Sequence, residues 1–593
     1  MRVRQNHILQ PSNSNIFPTR LLFFDTETVG TKVQSFKMLA TEFYIDYQLK
    51  EQKIFYELKE FWGYVISLTK RKTIHILAHH MQFDFLIAQG DKYLLENGYV
   101  TSKFFVMENG TTILKFKNLK TKGKIQFIDT FNYFKVKLKK MGETIGLPKL
   151  SIDFKKCSKE ELEIYCLRDV EILAKFFLKY LDFLKEEKLG SLRYTISSQS
   201  FQCFLSNHYE GNIAIHNNQE AINLERFSYK GARTEAFRLG KIKGMSYKLD
   251  INKMYNFFMK NERYPIKLRY YSNIDKINFA QVKRIMNNKE KYLVIIDVTI
   301  KINENKFGFK QKGRLIFPTG TFRTGLTSPE IALLNQSEIV KIHQIAVYDS
   351  AILFKSFCTK FEELQYRFKE EKNDIYLYLA KLFPNTLYGR FGMLKREVTE
   401  FYFEDINYNG IINYYNQKDE YEGFIFKYND KFFLQHKTRV ESHNSFPAIC
   451  AFVTAYARCY MNLFLQKYKG EIYYCDTDSI FCSEKVYLEM LKDGFIDEKE
   501  LGKWKLEDNG DLTIYGLKDY VFNEDIKIKG IKKSAKLISE NTYEMEQFSS
   551  LKGQIRANEL TKVYVKTVKK TLKRIYYKGI VNEDLTISPF LLE

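Results

Sequence analysis

Three short apolar runs near the start of the chain each end in acid. Leu21-Leu22-Phe23-Phe24 leads into Asp25-Thr26-Glu27-Thr28. Ile74-His75-Ile76-Leu77-Ala78 leads through His79-His80-Met81-Gln82-Phe83 to Asp84, and Ile125-Gln126-Phe127-Ile128 ends at Asp129-Thr130. Apolar runs of this length, bounded by polar residues, predict buried strands. The period then turns helical: an amphipathic helix is predicted from about Lys159 to Glu186, capped by Ser158 with Glu161 three residues on. After Leu189-Gly190 the pattern changes again. Tyr247-Lys248-Leu249-Asp250 predicts a strand running into a short turn, and Phe361 to Gly392 reads as largely helical, with a kink or irregularity at Pro384. Glu471 to Tyr474 and Ser479 to Cys482, rich in β-branched and aromatic residues, predict a hairpin whose turn holds Asp476-Thr477-Asp478.

These elements place acids together. Asp25 and Glu27 alternate along a strand and so share a side, and Tyr165 and Asp169 lie one helical turn apart. Asp476 and Asp478 sit at the tip of a buried hairpin, where like charges repel unless a cation joins them. The plainer alternatives stand beside this: acids often end strands, Tyr/Asp pairs often face solvent, and an Asp-rich turn can cap its own backbone. Convergence of Asp25, Glu27, Asp84 and Asp169 with Tyr165 would hold two divalent metals that activate water against a phosphodiester. Lys381, Asn385 and Tyr388 fall on one helix face; Lys369 lies further back.

Composition narrows the class. The 593 residues leave room for several domains. A formal charge of +22 favours polyanions, although Lys, Ile, Asn, Tyr and Phe richness also follows from an A·T-rich coding genome. Eight cysteines without a C-x-x-C pair offer neither a zinc ribbon nor a disulfide framework and fit a reducing cytosol. The N-terminus lacks the apolar core of a signal peptide, and no apolar run is read as spanning a bilayer; a cytoplasmic, membrane-free monomer is expected.

The order D-x-E (Asp25, Glu27), F-D (Phe83, Asp84), Y-x-x-x-D (Tyr165, Asp169) resembles the DEDDy-type 3′–5′ exonuclease domain of proofreading DNA polymerases. The resemblance implies that Asp25, Glu27, Asp84 and Asp169 bind metal and that Tyr165 orients the attacking water. Thr28, Phe83, Thr130, Phe131 and Lys149 match positions that hold the single-stranded 3′ end or the scissile phosphate. His80 stands where the family usually has Asn, a donor of different size that titrates.

Further along, Asp250-x-x-Lys-Met-Tyr255, Lys381-x-x-x-Asn385-Thr386-x-Tyr388-Gly389 and Tyr474-Cys475-Asp476-Thr477-Asp478-Ser479 resemble motifs A, B and C of the family B DNA polymerases. Thr454 to Arg458 resembles the Tx2GR/AR motif, and Lys518-Asp519-Tyr520 the KxY motif. The Tyr229 to Ala232 element, the length and two inserts resemble the protein-primed branch. The implied fold is a multidomain α/β and α+β chain: an RNase H-like exonuclease domain followed by a right-hand palm, fingers and thumb with two insertions. The expected boundaries are 1–190 for the exonuclease domain, 191–261 for the first part of the palm, 262–357 for terminal-protein region one and 358–392 for the fingers. Residues 393–446 would be terminal-protein region two, 447–550 the second part of the palm and 551–593 a basic, helical or strand-rich thumb.

In this reading Asp250 and Asp478 bridge two Mg²⁺ ions, with Mn²⁺ able to substitute, and Asp476 supports them; the exonuclease site takes two ions as well. Lys369 and Lys381 meet the triphosphate, Tyr255 excludes a 2′-hydroxyl, and Tyr388 lines the base pair. Asn385, Gly389, Tyr229, Gly231, Thr454 and Arg458 contact DNA, while Lys518 and Tyr520 hold the primer strand. Lys253 and Asn256 depart from motif A of the branch; Lys253 adds a cation near the phosphates or points to solvent. The implied partners are primer–template DNA, dNTPs, a terminal protein and a single-stranded-DNA-binding protein. Alternatives are a family B polymerase using nucleic-acid or self-made primers, and a non-catalytic nucleic-acid-binding relic.

Overall fold

The computed structural model describes residues 4–106, 111–273, 277–402, 411–428, 431–557, 559 and 562–593. The three acid-ended runs become strands of one mixed sheet. Arg20–Val29 and Thr73–Ala78 run parallel, as do Thr73–Ala78 and Lys124–Asp129; Val33–Ile45 and Thr112–Asn118 flank them antiparallel. Parallel strands buried on both faces read as continuous apolar runs, as these do. The helix Lys159–Glu186 crosses one face, burying Cys166, Val170, Leu173, Phe177 and Leu181 with Leu21, Phe23 and Met38. Its predicted capping box forms: Ser158 Oγ accepts from Glu161 N–H at 3.1 Å, and Ser158 N–H donates to Glu161 Oε2 at 2.8 Å. The helices Leu58–Ser67 and Met81–Ile87 cover the other face over Leu22, Phe24 and Ile76.

A second, five-stranded sheet has the order Thr234–Ala236, Ile472–Asp476, Ser479–Ser483, Ser246–Ile251, Trp504–Gly510. Leu249, Ile251, Cys475, Ile480 and Trp504 pack from this sheet onto Met461 and Phe464 of the helix Pro447–Lys467. That helix has 21 residues, and its most apolar 18-residue window has a mean hydropathy of 1.4, so among the described residues one helix is long and apolar enough to cross a membrane, contrary to the sequence expectation. Here it is a core helix, with 78% of its apolar window buried inside the protein.

Residues 262–357 supply the centre of a seven-stranded sheet, in which Tyr264–Ser272, Ile339–Ala351, Tyr292–Ile302 and Thr319–Thr327 are neighbours. Its edges come from elsewhere: His7–Ile8 and Ala214–Ile215 on one side, Leu591–Leu592 on the other. The close approach at that last edge needs glycine, since a Cβ on Gly320 (φ 90°) would lie 1.9 Å from the Leu592 carbonyl oxygen. Lys355–Glu370 and Asp374–Leu382 form a helical hairpin. Pro384 then opens a separate short helix, Pro384–Leu387, so the predicted irregularity is a break.

A four-stranded antiparallel arm follows, ordered Leu394–Phe401, Lys431–Glu441, Tyr421–Tyr428, Ile411–Tyr415. Phe426 and Tyr428 of the arm share a core with Leu551, Ile555 and Val563 and with Phe85 and Leu94 of the N-terminal layer. The basic segment near the C-terminus is strand-rich. Lys536–Ser539, Thr542–Phe548 and Val563–Thr571 form a ribbon that continues the N-terminal sheet through Val33↔Tyr564 and Gln34↔Val563. This ribbon spans the expected 550/551 boundary, because its strands pair with one another and not with the five-stranded sheet.

A buried ionic joint couples these parts and encloses Arg458 and Thr454, two residues expected to contact DNA. Arg458 and Glu330 pair at 2.8 Å, each side chain 3% exposed. Arg458 Nη1 also donates to the carbonyls of Lys230 at 2.7 Å and Gly231 at 3.0 Å. Arg458 therefore positions the Tyr229–Gly231 loop from beneath and has no surface to offer a phosphate. Thr454, one turn earlier, is buried with its hydroxyl on the Cys450 carbonyl at 3.0 Å. Removing one partner of a buried pair leaves an uncompensated charge, at a cost of roughly 3–5 kcal/mol. Arg458→Ala is expected to lower the thermal midpoint clearly, whereas Lys381→Ala, at an exposed side chain, should change stability by no more than about 0.5 kcal/mol; differential scanning calorimetry distinguishes them.

Candidate active sites

The first cluster lies where the N-terminal sheet meets the helix Lys159–Glu186. Asp25 and Glu27 project from one side of their strand, and Asp84 comes from the helix Met81–Ile87. Asp169 comes from the long helix. Asp84 Oδ1 accepts a hydrogen bond from Thr26 Oγ1 at 2.8 Å. Lys149 pairs with Asp169 Oδ2 and lies 4.6 Å from the ring centre of Tyr165. The expected Asp/Glu/Asp/Asp–Tyr–Lys set is thus brought to one place.

Its electrostatics are those of crowded acids. Burial, with Asp84, Asp169 and Glu27 adding repulsion, pushes the Asp25 carboxyl well above the usual range. Burial and then Asp169 raise Glu27 to about 7. Burial raises Asp84 to about 8, despite the Thr26 hydrogen bond. Burial also raises Asp169, against the Lys149 cation. Lys149, with Lys37 acting on Glu27, sets two cations against four acids, so the cluster is short of cations.

The predicted DNA-contacting residues divide. Thr28 is part-exposed and donates to Gln34 Oε1 at 2.6 Å. Phe131 lies against His80 with ring centres 4.3 Å apart and planes tilted by 34°. His80 takes a left-handed conformation (φ 82°) just before the Asp84 helix, and its N–H donates to Asp129 Oδ1 at 3.1 Å. Burial lowers the His80 pKa, which keeps the imidazole neutral at neutral pH. Phe83 packs edge-on to Phe548 of the C-terminal ribbon at 5.3 Å. Thr130 does not reach the surface: it is fully buried, bonded to the Ala78 carbonyl at 3.2 Å and His79 Nδ1 at 2.9 Å. Its expected direct contact becomes support of the His79–His80 turn.

The second cluster is built by strand register. Asp250 pairs with Ser479 on one side and Lys505 on the other, and Ile251 N–H donates to the Asp478 carbonyl at 2.8 Å. Thr477 adopts φ 69°, and its N–H reaches the Arg233 carbonyl at 2.9 Å, which pins the hairpin tip. Burial, with Asp478 as the nearest repelling charge, raises Asp250 to about 7; burial raises Asp478 too. Asp476 is differently placed. Its Oδ1 accepts from Thr234 Oγ1 at 3.1 Å and lies 3.1 Å from Lys518 Nζ. Lys518 thus faces an acid, and Tyr520 packs on Tyr474 and Phe481 beneath it.

Around this pair, Tyr255 and Tyr388 meet with ring centres 5.1 Å apart, and Cys450 Sγ donates to the Tyr388 carbonyl at 2.9 Å. Lys369, Lys381, Asn385 and Gly389 are exposed. Lys253 has left-handed backbone (φ 48°), and burial with the nearby Lys381 and Lys369 charges pulls its ammonium below the usual value, against Glu362. Tyr229 abuts Gly392, where a Cβ would meet the tyrosine ring at 2.9 Å and Cys450 Sγ at 2.8 Å. Gly231 and Gly389 have open space where a side chain would be. Sequence reasoning missed Thr234 and Arg233, which follow Tyr229 to Ala232 directly, and the Lys248–Glu507 pair at 2.6 Å beside Asp250.

In metal-free protein, Asp84 and Asp250 keep protons to about pH 8 and 7, while the unfolded chain releases them near their ordinary value of 3.8. The contribution of these two acids to native stability is therefore full below about pH 4 and is lost as pH rises through those folded values. Asp84→Asn, which can still accept from Thr26, is expected to raise the metal-free thermal midpoint at about pH 8 and to leave it unchanged at about pH 3.5. Thermal unfolding in a chelating buffer across this range checks both signs.

Comparison with known proteins places the chain in a family. The family model for DNA polymerase type B, organellar and viral, matches residues 152–471, more than half of the chain. A probable DNA polymerase of Neurospora intermedia is 26% identical over 374 residues, covering 59% of this chain and 36% of that protein. The DNA polymerase of Bacillus phage Nf is 26% identical over 302 residues, 49% of this chain and 44% of that one. The chain thus spans about a third of the length of the fungal relatives it matches. In fold, it is similar to phi29 DNA polymerase complexed with primer-template DNA: TM-score 0.68 at 16% identity, covering 94% of this chain and 100% of that one. With its family segment running from just before the long helix Lys159–Glu186 to the residue before the strand Ile472–Asp476, this chain belongs to the type B DNA polymerases of the organellar and viral kind.

Proposed function

We propose that the protein is a template-directed DNA polymerase with a separate 3′–5′ proofreading site, primed by a terminal protein. The observation that carries the polymerising activity is the meeting of Asp250 and Asp478, joined through the Ile251–Asp478 backbone bond, beneath the Tyr255–Tyr388 pair. Acids this crowded suit a divalent metal pair: Asp250 rises to about 7 next to Asp478, and in the other cluster Asp169 Oδ1 is buried without a hydrogen-bond partner. Two Mg²⁺ ions at each site, with Mn²⁺ as substitute, would activate the attacking oxygen and neutralise the leaving one.

The residues of the chain do the rest. Asp250 and Asp478 would be ligands, while Asp476, occupied by Lys518 and Thr234, holds the hairpin tip in place. Lys369 and Lys381, exposed on the helical hairpin, meet the triphosphate as point charges. Tyr255, held against Tyr388, closes the space beside the sugar. In the N-terminal cluster Tyr165, against Lys149, orients the water, and the neutral His80 on Phe131 donates to the frayed 3′ end.

Strand displacement and processivity are supported by the closure of the arm onto the N-terminal layer through Phe426, Tyr428 and Leu551. The insert at 262–357 supplies the centre of the seven-stranded sheet, on which a priming protein would dock. A monomer acting in a reducing cytoplasm, with a single-stranded-DNA-binding protein as helper, completes the proposal; its eight cysteines are unpaired.

Asp478→Ala is expected to abolish nucleotide addition and keep 3′ degradation of single strands, and Asp25→Ala the reverse, each loss being at least ~10³-fold. Primer-extension and labelled-3′-end assays read both; joint loss in either variant contradicts two separate sites. Incubation with a candidate terminal protein, labelled dATP and metal should yield a covalent protein–nucleotide adduct. Extension of DNA primers without any adduct would favour nucleic-acid priming.

A further inference from the structure

Arg233, which follows the Tyr229 to Ala232 element, carries its charge into the core. Its side chain is 1% exposed, and its guanidinium meets three separate elements. Nε donates to Glu235 Oε2 at 2.7 Å on the strand Thr234–Ala236, and Nη1 donates to Asn462 Oδ1 at 3.2 Å on the helix Pro447–Lys467. The guanidinium carbon lies 4.1 Å from the ring centre of Phe317, a buried residue of the insert at 262–357. The remaining nitrogen, Nη2, is buried without a hydrogen-bond partner. A buried ion pair adds little net stability, and apolar side chains of like volume often pack as well or better. A local rule broken without gain in stability is expected where function requires it.

The main chain of the same residue shows the requirement. The Arg233 carbonyl accepts from Thr477 N–H at 2.9 Å, and Thr477, at φ 69°, stands between Asp476 and Asp478. One residue on, Thr234 pairs in register with Asp476 and donates from Oγ1 to its Oδ1 at 3.1 Å. A left-handed residue other than glycine persists only where its surroundings fix it. We propose that Arg233 is a positioning residue for nucleotide addition. Its guanidinium, clamped by Glu235, Asn462 and Phe317, fixes the carbonyl that sets the Thr477 turn and so the placement of Asp478 beside Asp250. Buried as it is, the side chain has no surface to offer DNA or nucleotide and acts through the turn alone. Phe317 brings the insert into the clamp, so the insert helps to hold the hairpin. The inference rests on the reading of Asp250 and Asp478 as the polymerising centre.

The test uses the full chain and the charge-balanced double variant Arg233→Met, Glu235→Gln, which strands no buried charge. Primer extension gives kcat and KM for dNTP, labelled 3′ ends report removal, and hydrogen–deuterium exchange follows the hairpin backbone. Expected are a fall of about 100-fold in kcat for addition, an unchanged KM, unchanged 3′ removal, and faster exchange confined to the hairpin and Ile251. Phe317→Ala should move kcat and exchange the same way by less. Equal loss of both activities with faster exchange throughout marks support of the fold alone and overturns the proposal. Parent-like kcat in the folded double variant overturns it too, as does a fall in kcat with hairpin exchange unaltered. A parent protein that adds no nucleotide overturns the reading of the centre, while hairpin exchange still decides whether Arg233 holds the turn. Should the double variant misfold by circular dichroism, Asn462→Ala replaces it. Slower addition with unchanged removal and faster hairpin exchange then supports the clamp, and parent-like values overturn it.

Discussion

The backbone bond from Ile251 N–H to the Asp478 carbonyl joins a strand to a turn and keeps two acids side by side that would otherwise move apart. Everything near it serves to hold that arrangement: the left-handed Thr477, the Arg233 carbonyl that receives its N–H, and the layer of Leu249, Ile480 and Trp504 below. The N-terminal cluster obeys the same constraint with different parts, using a strand, a short helix and a long one. In both places local stability is sacrificed to a concentration of negative charge, and the packed layers around it make up the difference.

Partition of the acids within the hairpin follows from their neighbours. Asp476 and Asp478 are two residues apart, yet Lys518 and Thr234 engage the first while burial and repulsion act on the second. A turn that looks symmetric in sequence is therefore chemically asymmetric. The Arg458–Glu330 joint acts at longer range: it ties the core helix, the Tyr229–Gly231 loop and the seven-stranded sheet together by one guanidinium.

Much of this was legible because it obeys local periodicity. Alternation placed Asp25 and Glu27 on one side, the i, i+4 spacing placed Tyr165 beside Asp169, and the Ser158–Glu161 cap began the helix where it begins. What escaped depends on contacts between distant segments. Nothing local to Arg458 or Thr454 reveals that the face of the helix that carries them is buried, and the spacing of Thr130 is equally silent about the two groups that enclose it. The strand-rich ribbon was invisible as an extension of the first sheet, since Val33 and Tyr564 pair across more than five hundred residues.

That pairing bears on how such a chain can change over time. The N-terminal layer shares its sheet with Val563–Thr571 and its core with Leu551, Ile555, Phe426 and Tyr428. A graft of the first 190 residues onto another scaffold would carry an unfilled core face and an open sheet edge with it. The N-terminal layer is therefore not a detachable module: the ribbon completes its sheet edge, and the arm and ribbon segment complete its core.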